Sequence, residues 1–75
     1  MFDAKIFSER LLSLRTAKKL SQKDVADAVG ATKAYICDIE RARRTTPLDK
    51  AVALADYFDV SLDYLVGRSD DPTRH

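Results

Sequence analysis

The chain has 75 residues, enough for one small domain, and 45% of them are hydrophobic while 33% are charged. This composition excludes a disordered chain, and a single Cys excludes the internal disulfides that staple small secreted domains. No apolar run approaches the ~20 residues of a transmembrane helix, and the first ten residues lack a signal peptide's basic and apolar regions, so we expect a cytoplasmic protein.

The net charge of +1 conceals an uneven distribution of charge along the chain. Residues 1–44 carry ten Lys and Arg against six Asp and Glu, whereas residues 45–75 carry three against six. This asymmetry is typical of a molecule with one electropositive binding face.

Apolar residues recur at helical spacing throughout, without period-two alternation, so the predicted fold is all-α, a compact bundle of five helices. The first predicted helix runs from about Ile6 to Lys18. Its inward stripe comprises Phe7, Leu11, Leu14 and, as a further candidate, Leu12.

Two short helices follow, each with its own start signal. Ser21 is a good N-cap for a helix over Gln22–Val29, with Asp24 at the third position as a short version of the capping box. Gly30 suits a left-handed residue past the end of that helix, and Thr32 caps the next helix, over Lys33–Arg41. The predicted inward residues of the pair are Val25, Ala26, Val29, Ile36 and Ile39.

The last two helices begin after a polar, basic connector at residues 41–46. Thr46, Pro47 and Asp49 predict the N-cap, first and third positions of a helix that ends near Phe58. We expect that helix to bury Leu48, Val52, Leu54, Ala55 and Phe58. Ser61 caps a short fifth helix that holds Leu62 and Leu65 and ends at Gly67. One domain is thus predicted over residues 1–75, with a core of about 6–67 and a flexible tail at 68–75.

The turn between the second and third helices is so short that these helices must cross steeply. Ala26 lies where they approach, and a larger side chain there would force them apart. The outer face of the third helix is left free, which is the shape that enters a DNA major groove.

The segment from Leu20 to Ala42, LSQKDVADAVGATKAYICDIERA, resembles the helix-turn-helix of the lambda-repressor-like (Cro and Xre type) family of DNA-binding regulators. The flanking segments resemble the family's first, fourth and fifth helices, so the resemblance covers roughly residues 6–70. It is specific because five residues fall together at the family's spacing: Gln22, Ala26, Gly30, Ile36 and Glu40. The resemblance implies a regulator of transcription, most often a repressor, that reads double-stranded DNA as a homodimer on a two-fold operator.

The resemblance also implies which residues face DNA. The predicted base contacts are Lys33, Ala34 and Asp38, with Cys37 at the groove or its edge. Lys33 can donate to guanine, Ala34 can pack on a thymine methyl and Asp38 can accept from cytosine N4. The predicted phosphate contacts are Gln22, Tyr35, Arg41, Arg43 and Arg44.

Other roles remain open for several of these side chains. Lys33 can contact a phosphate instead of a base, Asp38 can form a surface pair with Arg41, and Tyr35 can serve in packing alone. Nothing in the sequence marks Cys37 as reactive, so we favour an inert cysteine over a redox switch.

Some family positions carry structural roles. An arginine and a glutamate that match Arg15 and Glu40 form a partly buried salt bridge behind the motif in the family. Lys19, Ala42 and Asp59 stand where the family often has glycine in a left-handed turn. The predicted dimer surface comprises Val60, Leu62, Tyr64, Leu65 and Val66, although Leu62 and Leu65 can equally belong to the core.

The sequence also bears on two other classes of function, an enzyme and a protein-interaction module. The only His is His75 and the only Cys is Cys37, so we expect no catalytic set, metal site or cofactor, and no enzyme. The alternative to a DNA reader is an antitoxin-like protein-interaction module, whose acidic half, with Asp56, Asp59 and Asp63, binds a basic regulatory protein partner.

Overall fold

The computed structural model describes residues 3–73, so His75 lies outside the described residues. Over that range the chain forms five α-helices and no strand, which confirms the predicted all-α fold. They are α1 (Ala4–Ala17), α2 (Gln22–Val29), α3 (Lys33–Glu40), α4 (Leu48–Phe58) and α5 (Leu62–Leu65). Among residues 3–73, none of the helices combines the length and the apolarity needed to cross a bilayer.

Short polar side chains cap the beginning of four helices. The Asp3 carboxylate accepts hydrogen bonds from two backbone N–H groups at the start of α1. Ser21 and Asp24 form a complete capping box despite the shorter acid, with both bonds at 3.0 Å. Thr32 and Ser61 cap α3 and α5 as predicted. Each cap fixes where its helix begins because it satisfies an N–H group that has no partner within the helix.

The start of α4 differs from the prediction. Pro47, not Thr46, is the N-cap, and no side chain caps this helix. Thr46 is instead half-buried, and its hydroxyl has no hydrogen-bond partner. The backbone of Pro47 explains the difference, because at φ −57° and ψ 151° Pro47 lies outside the helical region and the first helical residue is Leu48.

Each of the five helices is followed within two residues by a left-handed residue. Two of these residues are glycines, Gly30 at φ 71° and Gly67 at φ 87°. The other three are Lys19, Ala42 and Asp59, at φ 55–57°. These non-glycine residues therefore occupy the backbone conformation that the family's glycines favour, and they do so at a cost in strain.

One face of every helix packs into the core. For α4 the predicted buried face is partly wrong. The buried residues of α4 are Ala51, Leu54, Ala55 and Phe58, whereas Leu48 is 70% and Val52 is 40% exposed. Leu12 is likewise exposed. The remaining core comprises Phe7, Leu11, Val25, Ala26, Val29, Ile36, Ile39, Val60 and Leu65. The predicted burial of the α2 and α3 residues is thus confirmed.

Residues 68–72, the beginning of the predicted tail, are hydrogen-bonded to the domain. The Arg10 guanidinium donates to the carbonyls of Tyr64 and Ser69, forms an ion pair of 2.7 Å with Asp70, and stacks 4.3 Å above the Tyr64 ring. The Ser61 N–H also donates to the Pro72 carbonyl at 3.0 Å. These contacts fix the path of the chain after α5.

Candidate nucleic-acid interface

The α2–α3 pair forms a rigid unit with a short turn. Gly30 adopts the left-handed conformation, and the N–H of Ala31 donates to the Ala26 carbonyl at 2.8 Å, which closes the end of α2. From α4, the Lys50 ammonium donates to the carbonyls of Val29 at 3.0 Å and of Gly30 at 3.3 Å. The positive charge of Lys50 at the C-terminus of α2 stabilises the helix dipole. The turn that orients α3 is therefore held from two sides.

The free face of α3 begins with two exposed residues, Lys33 and Ala34. Cys37 and Asp38 follow one turn later and are half-buried, and Arg41 is exposed directly after the helix. The opposite face, with Ile36 and Ile39, is in the core. The predicted base contacts therefore share the side of α3 that the core leaves uncovered.

A second anchor for α3 is the predicted pair between Arg15 and Glu40, which the structure contains as a bidentate salt bridge. Arg15 Nε lies 2.6 Å from Glu40 Oε2 and Nη2 lies 3.1 Å from Oε1. The Glu40 hydrogen bond is the main cause that raises the pKa of Arg15. The Arg15 guanidinium also donates to the Leu20 carbonyl at 2.8 Å, so one side chain joins α1, the entry to α2 and the end of α3.

Gln22 belongs to the same network. Its side-chain amide donates to Glu40 Oε1 at 2.9 Å. An amide nitrogen carries two hydrogens, so this bond orients Gln22 at the N-terminus of α2 and leaves a second donor for an anion. Helical spacing did not reveal this link, because it joins side chains of two different helices.

The basic connector after α3 folds back over the helix. Arg44 Nη2 lies 3.4 Å from Asp38 Oδ2, and the Arg44 guanidinium lies 5.1 Å above the Tyr35 ring. The partner of Asp38 is therefore Arg44, and not Arg41 as the helical spacing suggested. Arg41 and Arg43 are also exposed, so all three arginines lie on the surface next to the free face of α3.

Tyr35 differs from its predicted role. Its hydroxyl is buried without a hydrogen-bond partner, so it is not presented to solvent as a phosphate contact would be. Burial raises the pKa of the phenol, while the nearby Thr46 hydroxyl and the Arg44 charge act in the opposite direction. The ring thus forms a fixed platform beneath Arg44, in line with the packing alternative.

The predicted dimer residues divide between core and surface. Leu65 is fully buried and Val60 is 6% exposed, so these two belong to the core and offer little contact area. Leu62, Tyr64 and Val66 are half-buried. An open groove of about 390 Å³ lies between α4 and α5, with Val52, Ala55 and Leu62 among its lining and Asp56 and Asp63 also in it.

The chain is similar in sequence to known DNA-binding regulators. A family model described as helix-turn-helix matches residues 11–65. The uncharacterised HTH-type transcriptional regulator YobD of Bacillus subtilis is 40% identical over 67 residues, which cover 89% of this chain and 60% of YobD. The chain thus spans little more than half the length of this curated relative.

Solved structures show the same fold. The P22 c2 repressor protein, in complex with a synthetic operator, has a TM-score of 0.81 and 25% identity over 85% of this chain and 97% of that one. The restriction-modification controller protein C.AhdI from Aeromonas hydrophila has a TM-score of 0.78 and 36% identity, covering 84% of this chain and 96% of its own. The five helices, the short turn between α2 and α3 and these matches agree, and the chain belongs to the lambda-repressor-like (Cro and Xre type) family of helix-turn-helix DNA-binding regulators.

Proposed function

We propose that the chain is a cytoplasmic, sequence-specific repressor of transcription that reads the major groove of double-stranded DNA with α3. One observation carries this proposal. The uncovered face of α3 begins with exposed Lys33 and Ala34 and leads into three surface arginines, while its other face is locked to α1 and α2. A rigid helix with free polar and small side chains at its N-terminus suits direct readout of base edges.

Base recognition is proposed for four residues of α3: Lys33, Ala34, Cys37 and Asp38. Lys33 suits guanine because an ammonium donates to O6 and N7, and the methyl of Ala34 suits a thymine methyl. Cys37 is half-buried and lies at the edge of the face, where it contributes shape more than hydrogen bonding. The Asp38 carboxylate suits the amino group of cytosine.

Backbone contacts are proposed for Gln22, Arg41, Arg43 and Arg44. Gln22 lies at the N-terminus of α2, where backbone N–H groups and the helix dipole favour an anion. The arginines follow α3 immediately, which brings them beside the groove that α3 would occupy. Tyr35 contributes indirectly, because its ring supports Arg44.

The size of the domain supports action as a homodimer. The described residues measure 27 × 23 × 21 Å, whereas successive half-sites of a two-fold operator lie about 34 Å apart. One copy is too short to read two half-sites. We propose that two copies associate through Leu62, Tyr64 and Val66 together with exposed Val52, since Val52 and Leu62 line the α4–α5 groove and Tyr64 and Val66 are only half-buried.

The dimer proposal is tested by sedimentation. Val52→Asp changes a surface residue and leaves the core intact, so the variant should fold but sediment as a monomer at concentrations where the wild type is dimeric. Leu48→Asp, which changes another exposed apolar residue of α4 outside the groove lining, serves as the control. A wild type that stays monomeric, also on bound DNA, would contradict the dimer.

The proposed function is tested by selection from a pool of random double-stranded DNA. We expect enrichment of one two-fold symmetric sequence whose half-sites are about one helical turn apart. Enrichment should survive at 150 mM salt, where non-specific attraction to phosphates is weakened. Recovery of DNA without any common sequence would contradict sequence-specific recognition.

A further inference from the structure

The Asp38–Arg44 pair lies on the surface that we propose to face DNA. Asp38 is on the free face of α3, and the ion pair with Arg44 measures 3.4 Å between Oδ2 and Nη2. Both residues are proposed DNA contacts, one to a base and one to a phosphate. In the structure, the Asp38 carboxylate and the Arg44 guanidinium bind each other, so neither group is free to bind DNA.

Backbone geometry brings the two residues together. Residues six apart on a straight helix lie on different faces, but α3 has ended before Arg44. Ala42 is left-handed at φ 57°, and the Arg43 N–H donates to the Asp38 carbonyl at 2.8 Å. This closed turn returns the chain over α3, and the Tyr35 ring supports the guanidinium from below. The pairing is thus a product of the fold around a strained, non-glycine turn.

The pair is suited to exchange of partners. Its side chains are 32% exposed at Asp38 and 49% at Arg44, and an ion pair so open to water contributes little to stability. Contact with DNA changes this balance, because phosphates repel a carboxylate and burial removes its water. Asp38 then needs either Arg44 or a base that donates a hydrogen bond.

Cytosine is the base that presents a lone amino donor in the major groove. We propose that the Asp38–Arg44 pair couples base reading to backbone contact: cytosine N4 replaces Arg44 as the partner of Asp38, and Arg44 then binds a phosphate. On DNA without this cytosine, Arg44 stays with Asp38 and one phosphate contact per chain is lost. The inference rests on the proposed function, and it makes Arg44, which touches no base, a determinant of specificity.

The coupling is tested by the salt dependence of binding to a set of DNA duplexes. One is the sequence selected from the random pool, and the others replace each C·G pair of its half-sites by T·A in turn. Each phosphate neutralised contributes about 0.9 to the slope of log K against log salt concentration. For the wild type we expect one replacement, at the cytosine that Asp38 reads, to weaken binding and to reduce the magnitude of the slope by about 0.9 per chain. The selected duplex and the duplex with this replacement form the pair on which the variants are measured.

Three variants separate the coupling from simpler explanations. In Asp38→Asn, Arg44 is released on every DNA, so the slope should be the same with and without the cytosine. Arg44→Gln should lower the slope on the selected DNA only. The control is Arg43→Gln, because no ion pair holds Arg43 among residues 3–73; it should lower the slope on both duplexes equally. Circular dichroism checks that each variant is folded.

The coupling would be overturned if Arg44→Gln lowered the slope equally on both duplexes, or if Asp38→Asn kept the wild-type difference between them. It would also be overturned if no C·G replacement affected the wild-type slope while sequence preference remained. Failure of the proposed function is distinct, since the wild type would then bind all duplexes alike.

Discussion

Ala42, Lys19 and Asp59 carry side chains in the left-handed region, at φ 55–57°. The left-handed conformation costs a residue with a Cβ roughly 1–2 kcal/mol. Glycine avoids most of this strain, but it loses more conformational entropy on folding. The resemblance to the family predicts these positions, because the family often has glycine in a left-handed turn there. The pairing of Asp38 with Arg44 was not predictable in the same way, since it depends on the direction that the chain takes after Ala42.

Ala42→Gly should therefore stabilise the domain by about 1 kcal/mol, which corresponds to roughly 4–8 °C in Tm for a domain of this size. Thermal unfolding by circular dichroism measures this change. Gly30→Ala is the matched control, because an added Cβ there would only touch Lys50 Nζ at 3.6 Å and the cost is conformational. It should lower Tm by a similar amount, and a fall in Tm for Ala42→Gly would contradict the strain at this turn.

Asp24 gives the domain a pH dependence that can be isolated. The Ser21 backbone N–H, and to a lesser extent the Ser21 hydroxyl, lower the pKa of Asp24 below its ordinary 3.8. A lowered pKa means that Asp24 stabilises the folded state above pH 3.8 and that this contribution is lost as the pH falls through the folded-state pKa.

Asp24→Asn should accordingly reduce the free energy of unfolding at pH 7, with a difference from wild type that shrinks below about pH 4. Urea unfolding between pH 3 and pH 7 measures this difference. Asp27→Asn, a nearby exposed acid on the same helix whose partner is Lys23, is the comparison. A difference at Asp24 that does not vary with pH would rule out the capping-box explanation.

At the scale of elements, α2 and α3 are predictable because each has a clear cap and a single apolar stripe. In α4 the pattern is ambiguous, since LDKAVALADYF is apolar on more than one face. The small residues Ala51 and Ala55 determine which face of α4 is buried, because they let α4 approach the rest of the core closely. Larger Leu48 and Val52 are left outside. Such a choice depends on packing between helices, and spacing along one helix does not reveal it.

The Lys50 side chain connects α4 to the end of α2 through two hydrogen bonds, and Lys50→Met tests this connection. Methionine keeps the apolar stem but leaves the carbonyls of Val29 and Gly30 without the charged donor. We expect a loss of about 1 kcal/mol in the free energy of unfolding, measured by urea denaturation. Lys5→Met, at an exposed position of α1, should change little. An equal effect of the two variants would mean that Lys50 does not cap α2.

The Arg15–Glu40 pair tests how α3 is held. The side chains are only 15% and 5% exposed, so Glu40→Ala strands the arginine charge and should cost roughly 3 kcal/mol. Replacing both residues by Met removes both charges and should cost less than Glu40→Ala alone. Urea unfolding of Arg15→Met, Glu40→Met and the double Met variant decides the point: a loss in the double variant equal to the sum of the two single losses would exclude a coupled pair.

At the scale of the whole molecule, the near-zero net charge is the sum of a positive half and a negative half. Excess positive charge lies in residues 1–44, which contain α2, α3 and the arginines, while the acids Asp56 and Asp63 line the α4–α5 groove. We therefore expect modest general attraction to phosphates, and under the proposed function a domain only 27 Å long relies on base contacts and on a second copy for its affinity. Composition alone predicted the asymmetry, whereas the arrangement of charges around the groove required the fold.

The central claim is that the exposed start of α3 reads DNA bases, and Lys33→Ala tests it most directly. Lys33 is exposed, so its removal should leave the free energy of unfolding unchanged. The measurement is the ratio of Kd for a scrambled duplex to Kd for the selected duplex, in wild type and variant at one salt concentration. We predict that the ratio falls in the variant by a factor that corresponds to about 1–3 kcal/mol of discrimination per chain. An unchanged ratio, with binding to both duplexes weakened alike, would contradict base reading by Lys33 at the start of α3.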